Sequence, residues 1–466
     1  MPVRREGSET LAGGVVNTLP PHQIGLGEAA SAENLDPRDL RGATTRNGRS
    51  NFSVTGASNT GVKGIKAWTR NLGTSYVVAR IATTFYGVSA ASWASIGIGG
   101  TNDAYMRATP MDNLLVIVVD GLVPKYWDAT TFASLGGTPP SEAKYAATYV
   151  SKIWLAGDDS NPQTLSFSAT NNAQDWTAVN DAGSITTQEG GGDTIQGLVA
   201  MRQALIVLYR FYADILTGDG VFNFRVDRLI DKGLVSTTGY VSSGEVAFFA
   251  SDDAIYMVAG GRISDLTTLK IRESYRNISD KSKITLGIKG DLLIVTDYGA
   301  DKGWACAYKY NRWYEWTGQI WECIDTGNDQ TVYAGTDSGS TAQIWNLDTG
   351  SLDGTATITA FVKTGGLSFG WPDCPKVLRR VNCHAKPGIP TITLSYYKDG
   401  ASTGSTNALA TTAATGDDSW VGVHGQSAIR GRQLAVKMQW TGQGTLYGYV
   451  CYAEVQADEG EVPQEL

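Results

Sequence analysis

At 466 residues with a net charge of −8 and only 18 % charged residues, the chain can hold more than one structural unit but has no charge surplus with which to grip nucleic acid. Its 55 Gly against 14 Pro, with 13 Trp, 21 Tyr and 11 Phe, suit many short strands and tight turns. No apolar stretch is long enough to span a bilayer, and the two arginines near the N-terminus are followed by no apolar segment, so synthesis in a cytoplasm without a membrane span or secretory signal is expected.

Residues 1–45 read as an N-terminal arm. Pro20-Pro21 and Gly13-Gly14 interrupt it, and one short helical turn is expected around Ala29–Leu35. An arm of this kind is expected to lie on another surface. Next comes Arg46–Val54, a strand with an Asn47-Gly48 turn signal and no sheet of its own.

A repeat follows. Apolar runs at Tyr76–Ala82, Leu114–Val119, Lys152–Ala156, Ala204–Tyr209, Val246–Ala250, Leu292–Thr296 and Thr331–Ala334 have centres 38 to 52 residues apart. Each run is followed by a Gly/Asp/Asn/Ser turn and an aromatic-bearing strand. One four-stranded propeller blade needs roughly 40–50 residues, so the pattern predicts a β-propeller of seven blades, with six as the alternative, over residues 46–354. In blade three the fourth strand is expected at Trp176–Val179, and in blade four at Phe222–Val226. Blade seven lacks a fourth strand, and Arg46–Val54 is the expected donor, which would close the ring and remove two open sheet edges.

Beyond Gly354 the strands lengthen. Ala356–Lys363, Lys376–Ala385, Thr391–Lys398, Gln433–Trp440 and Thr445–Gln456 alternate, which predicts a β-sandwich-like domain over 355–457. The Gly/Ala/Ser/Thr-rich stretch Asp399–Asp418 reads as a flexible loop, and 458–466 as an acidic flexible tail.

The chemistry-bearing residues do not assemble into a catalytic pattern. The carboxylates Asp158-Asp159, Asp252-Asp253 and Glu315 with Glu322 are candidates for glycoside cleavage, but they sit at turns or beside aromatics. The Ser-x-Asp-x-Gly-x-x-Trp box of sialidase-like propellers does not recur, and Asn172–Trp176 departs from it. His22, His384 and His424 all fall outside the blades, which leaves no Ser/His triad there. Cys306, Cys323, Cys374, Cys383 and Cys451 form no CxxC pair and are expected to be free thiols, and Cys383 and His384 point to opposite faces of a strand. Gly190-Gly191-Gly192-Asp193 lacks a strand–helix context and reads as a connection. Lys376, Arg379 and Arg380 read as a solvated edge or loop, and the tryptophans as packing between blades rather than a sugar platform. No catalytic, cofactor-binding or metal-binding residue is therefore expected, and no cofactor.

Ala32-Glu-Asn-Leu-Asp-Pro37, Leu40-Arg-Gly42 and Arg46-Asn-Gly48 resemble the opening of β-propeller virion proteins of tailed bacteriophages. Lys152–Gly157 with Thr164–Ala169 and Asp175-Trp176, then Asp193–Leu198 with Leu205–Leu208, are similar in pattern and order to tail nozzle and packaged-DNA stabilisation proteins of short-tailed phages. The likeness spans residue 32 to about 350 and includes no short diagnostic signature. It implies a structural, non-enzymatic virion tail subunit. The implied assembly is a homo-oligomeric ring, usually a hexamer, below the portal and adaptor and next to tail fibre or spike proteins. Viral DNA would pass through its lumen without sequence-specific binding, and the ring would serve DNA retention and ejection. A carbohydrate- or receptor-binding propeller and a solitary cytoplasmic scaffold are the competing readings.

Overall fold

The computed structural model describes residues 3–54, 61–71, 73–89, 92–187, 193–336, 342–386, 391–399, 401, 405–407, 419–423 and 429–456. The chain is a β-propeller joined to a β-sandwich.

Six blades are four-stranded antiparallel meanders in chain order. Blade one runs Val62–Thr69, Ser75–Ile81, Thr84–Ser89, Ser92–Ile98. Blade two runs Met106–Met111, Leu114–Val119, Leu122–Trp127, Phe132–Ser134. Blade three is Tyr145–Tyr149, Lys152–Ala156, Thr164–Phe167, Gly183–Thr186. Blade four is Ile195–Ala200, Leu205–Tyr209, Ala213–Thr217, Arg225–Ile230. Blade five is Tyr240–Ser242, Val246–Ala250, Ile255–Ala259, Arg262–Asp265. Blade six is Ile284–Lys289, Leu292–Asp297, Lys302–Ala307, Arg312–Thr317.

Blade seven has three strands in order, Trp321–Thr326, Val332–Thr336 and Gln343–Leu347. Its fourth is Arg49–Val54, antiparallel to Gln343–Leu347 with Trp345 opposite Asn51. The ring therefore has seven blades and closes with the strand expected from the N-terminal side.

Second strands such as Leu205–Tyr209 and Lys152–Ala156 are buried throughout. A blade's interior strand is covered on both faces by its neighbours, so it is apolar without alternation. Aromatics fill the wedges between blades. Trp68 of blade one meets Trp127 of blade two at 5.6 Å, and Trp154 of blade three meets Phe224, just before blade four's last strand, at 5.0 Å.

The sandwich faces two sheets across one core. The first pairs Val3–Ser8, Thr445–Val455, Lys376–Ala385 and Ser419–Val423 in that order, with Ala43–Thr44 also on Thr445–Val455. The second pairs Ala29–Glu33, Thr359–Thr364, Leu434–Thr441, Thr393–Lys398 and Ser405–Asn407. Ala29–Glu33 also bridges to the outer strand of blade six, Glu33 opposite Glu315, so one sheet runs from propeller to sandwich.

Several expectations need correction. From Val3 onward, the arm expected over 1–45 is built into the chain's own sheets instead of lying on another surface. Leu11, Val15, Ala29, Ala32, Leu35 and Ala43 share the sandwich core with Val362, Val436, Met438 and Trp440. The arm is thus the missing part of the second domain's core. Ala29–Glu33 is a strand and not a helical turn, because it is hydrogen-bonded in register to Thr359–Thr364. In blade three, Ala178–Asn180 is a 3₁₀ turn and the fourth strand is Gly183–Thr186. In blade four the fourth strand starts at Arg225, past the expected Phe222. Of the loop expected over 399–418, Ser405–Asn407 is a short strand, and 400, 402–404 and 408–418 lie outside the described residues. The acidic tail 458–466 lies outside the described residues. Among those residues, no helix is long and apolar enough to cross a membrane.

Candidate functional site

The inner strands of all seven blades line an axial cavity of about 430 Å³. Each contributes an apolar residue to the wall: Ile65, Ala108, Ala147, Leu198, Val241, Leu286 and Ile324. At Gly64 (φ 149°) the inner strand of blade one passes so close to blade two that a Cβ would stand 2.6 Å from the Met106 carbonyl oxygen.

At one end of the cavity, side chains from blades one, two and seven converge and Arg107 reaches across the axis. Tyr105, just before blade two, donates its hydroxyl to Glu322 Oε1 of blade seven at 2.6 Å and lies 3.2 Å from the Tyr298 hydroxyl. Lys63 of blade one donates to the same Glu322 oxygen at 2.6 Å. Both partners of that ion pair are buried. Arg107 of blade two spans the axis to donate to the backbone carbonyl of Thr237, before blade five. The Lys63 ammonium and the Arg107 guanidinium lie 5.3 and 5.2 Å from the Tyr105 ring centre, and Arg107 is 5.7 Å from that of Tyr145. Burial and the Glu322 carboxylate push the Tyr105 hydroxyl far above its usual range, so it stays protonated and donates. Glu322 Oε2 has no hydrogen-bond partner among the described residues.

Toward the other end, Lys66 pairs with Asp325 at 2.8 Å, and the Ala67 amide donates to the same carboxylate at 2.7 Å. The Thr109 and Thr148 hydroxyls meet at 2.7 Å between blades two and three.

A second cavity of about 400 Å³ lies where propeller meets sandwich, lined by Glu33, Asn34, Thr317, Asp353, Phe361 and Lys437, among others. Arg46 holds this junction. Its guanidinium stacks on Trp316 (5.3 Å), grips Asp353 through two bonds of 2.9 and 2.6 Å, and reaches Asn34 Oδ1 at 3.1 Å. Nearby, Asp348 accepts from Arg38 (2.8 Å) and Lys289 (2.9 Å). Burial pushes the Asp348 carboxyl up, but these two cations outweigh it and hold it below the usual carboxylate range. Burial, then Glu315 on the neighbouring strand, raises the Glu33 carboxyl.

The structure separates the carboxylates singled out in the sequence. Asp159 is exposed and pairs with Lys144 at 2.7 Å, and Asp158 caps its own turn at the Ser160 amide. Asp252 is exposed, while Asp253 is tied to Lys232 and Tyr256. Glu315 lies beside Glu33 at the junction, whereas Glu322 belongs to the axial lock. Lys376 is buried and donates to the Cys374 and Arg432 carbonyls. Arg379 and Arg380 are exposed, so the three cations do not form one solvated edge. Cys306, Cys323, Cys383 and Cys451 are buried free thiols, and Cys374 is half-buried. The tryptophans weighed as a sugar platform are largely core: Trp68, Trp127, Trp154, Trp313, Trp316 and Trp321 are all buried. Gly190–Gly192 and His424 lie outside the described residues. Sequence reasoning missed Lys63, Tyr105 and Arg107. The available signal was a charge within an inner strand whose other residues are mostly apolar or small.

No protein family matches the sequence, and no curated protein does. Among solved structures, the extracellular domain of a B. thetaiotaomicron protein described as a hybrid two component system is 10 % identical, with a TM-score of 0.46, covering 78 % of this chain and 47 % of that one. The WD40 domain of Neurospora crassa Pan2 is 8 % identical, with a TM-score of 0.42, covering 61 % and 88 %. YCF48 bound to D1 peptide is 6 % identical, with a TM-score of 0.41, covering 60 % and 94 %. The chain spans less than half the length of the bacterial extracellular domain. None of these likenesses bears on function.

Proposed function

We propose that the chain is a structural subunit of the tail of a short-tailed bacteriophage, a ring component below the portal and adaptor that conducts and retains packaged DNA. The observation that carries the reading is the stitching of the two lobes. Ala29–Glu33 sits between blade six and the sandwich, and the same segment continues into the strand that closes the ring. Arg46 and Arg38 then lock the junction with charge-assisted bonds. A subunit that must transmit force without hinging needs such continuity, which a mobile binding module does not.

The axial cavity fits this reading only in a negative sense. At about 430 Å³, with side chains across one end, it holds a small molecule and not a duplex. DNA would therefore pass through the lumen between copies and not along the propeller axis. A net charge of −8 per copy would keep that lumen from adhering to phosphates. An antibody raised against the chain should decorate the tails of purified particles, and particles lacking the chain should lose their DNA. Intact, infectious particles without the chain would refute the proposal.

A further inference from the structure

We propose that the axial cavity is a binding site for a small organic carboxylate, anchored by Arg107. The first ground is charge. Lys63 is neutralised by Glu322 and Lys66 by Asp325, at 2.6 and 2.8 Å. Among the described residues, no carboxylate lies within ion-pair distance of Arg107. The cavity therefore carries one uncompensated positive charge in a chain whose net charge is −8. A half-buried guanidinium without a counter-ion is unfavourable, and an anion relieves it.

The second ground is geometry. Arg107 is pre-oriented by the Tyr105 and Tyr145 rings and by its bond to the Thr237 carbonyl, so little side-chain freedom is lost when its remaining N–H groups engage a ligand. A carboxylate matches that planar fork with two parallel hydrogen bonds. The third ground is the wall. It is lined by apolar side chains such as Leu198, Val241 and Leu286, and the Thr238 and Thr285 hydroxyls at the Arg107 end are engaged with each other at 2.9 Å. A wall with that apolar share suits a short carbon skeleton better than bare phosphate. A volume of about 430 Å³ lies within the usual range for small-molecule sites of roughly 300–1,000 Å³. The Arg107 bond to Thr237 crosses the axis at the Tyr105–Glu322 end, and no side-chain hydrogen bond crosses it at the Lys66–Asp325 end among the described residues. The ligand would enter there.

The test is isothermal titration of the full chain with acetate, glutarate and benzoate at constant ionic strength, with glutaramide and inorganic phosphate as comparisons. At least one carboxylate should bind saturably, and glutaramide should not. Arg107→Met should weaken that binding by about tenfold or more, and Arg107→Lys, which keeps the charge but loses the fork, by less. Circular dichroism of each variant checks folding, and the Lys variant decides the matter if the Met variant does not fold. Absence of saturable binding by all three carboxylates, preference for phosphate, or affinity unchanged in Arg107→Lys and Arg107→Met would each overturn the proposal.

Discussion

At Glu322 one carboxylate oxygen joins Lys63 of blade one, Tyr105 of the connection into blade two, and blade seven itself. The Lys63 and Glu322 side chains are only 11 % and 3 % exposed, so removing one leaves the other charged and out of water. Glu322→Gln should therefore cost about 3–5 kcal/mol in denaturant unfolding, while Glu322→Gln with Lys63→Met should recover part of that loss. A double variant as unstable as the single would show that the pair is not the unit. Asp348 makes a pH-dependent prediction. Its folded-state pKa lies below that of the unfolded chain, so its contribution is present above about pH 4 and is lost as pH falls toward the folded value. Asp348→Asn should lower the thermal midpoint at pH 7 and flatten its fall on acidification, as followed by scanning calorimetry from pH 7 to 3. The sequence singled out Glu322 but paired it with Glu315. Its real partner, Lys63, lies 259 residues away, and no local pattern encodes a contact made by closing a ring.

At the scale of elements, the closing strand was legible as a deficit. Blade seven was one strand short and Arg46–Val54 one strand in excess. The second strands were legible because burial on both faces makes them continuous apolar runs. The strands of the arm were not. Val3–Ser8, Val-Arg-Arg-Glu-Gly-Ser, is largely exposed along an edge, and Ala29–Glu33 is built of small residues, so neither shows an alternating apolar pattern. Leu35 is fully buried, so a charge there would break the sandwich, whereas Leu26, 39 % exposed, is a surface probe. The closure can be tested covalently. Ser50 and Asn346 lie directly opposite each other on antiparallel strands, where Cα atoms stand about 5 Å apart, within disulfide range. Ser50→Cys with Asn346→Cys should form a bond that raises stability by about 2–4 kcal/mol over the reduced form. If the oxidised and reduced forms melt together, ring opening at this seam is not part of unfolding.

For the whole molecule, propeller and sandwich form one continuous body, because a single N-terminal segment supplies strands to both. The proposed function requires that this body assemble with copies of itself, and that assembly is the central claim. Sedimentation velocity of the purified chain across rising concentration tests it most directly. The account predicts a discrete closed species whose mass is a whole multiple of 49.7 kDa, six copies being the expected number. A single species of 49.7 kDa at every concentration, in the presence of an adaptor as well as alone, would contradict it.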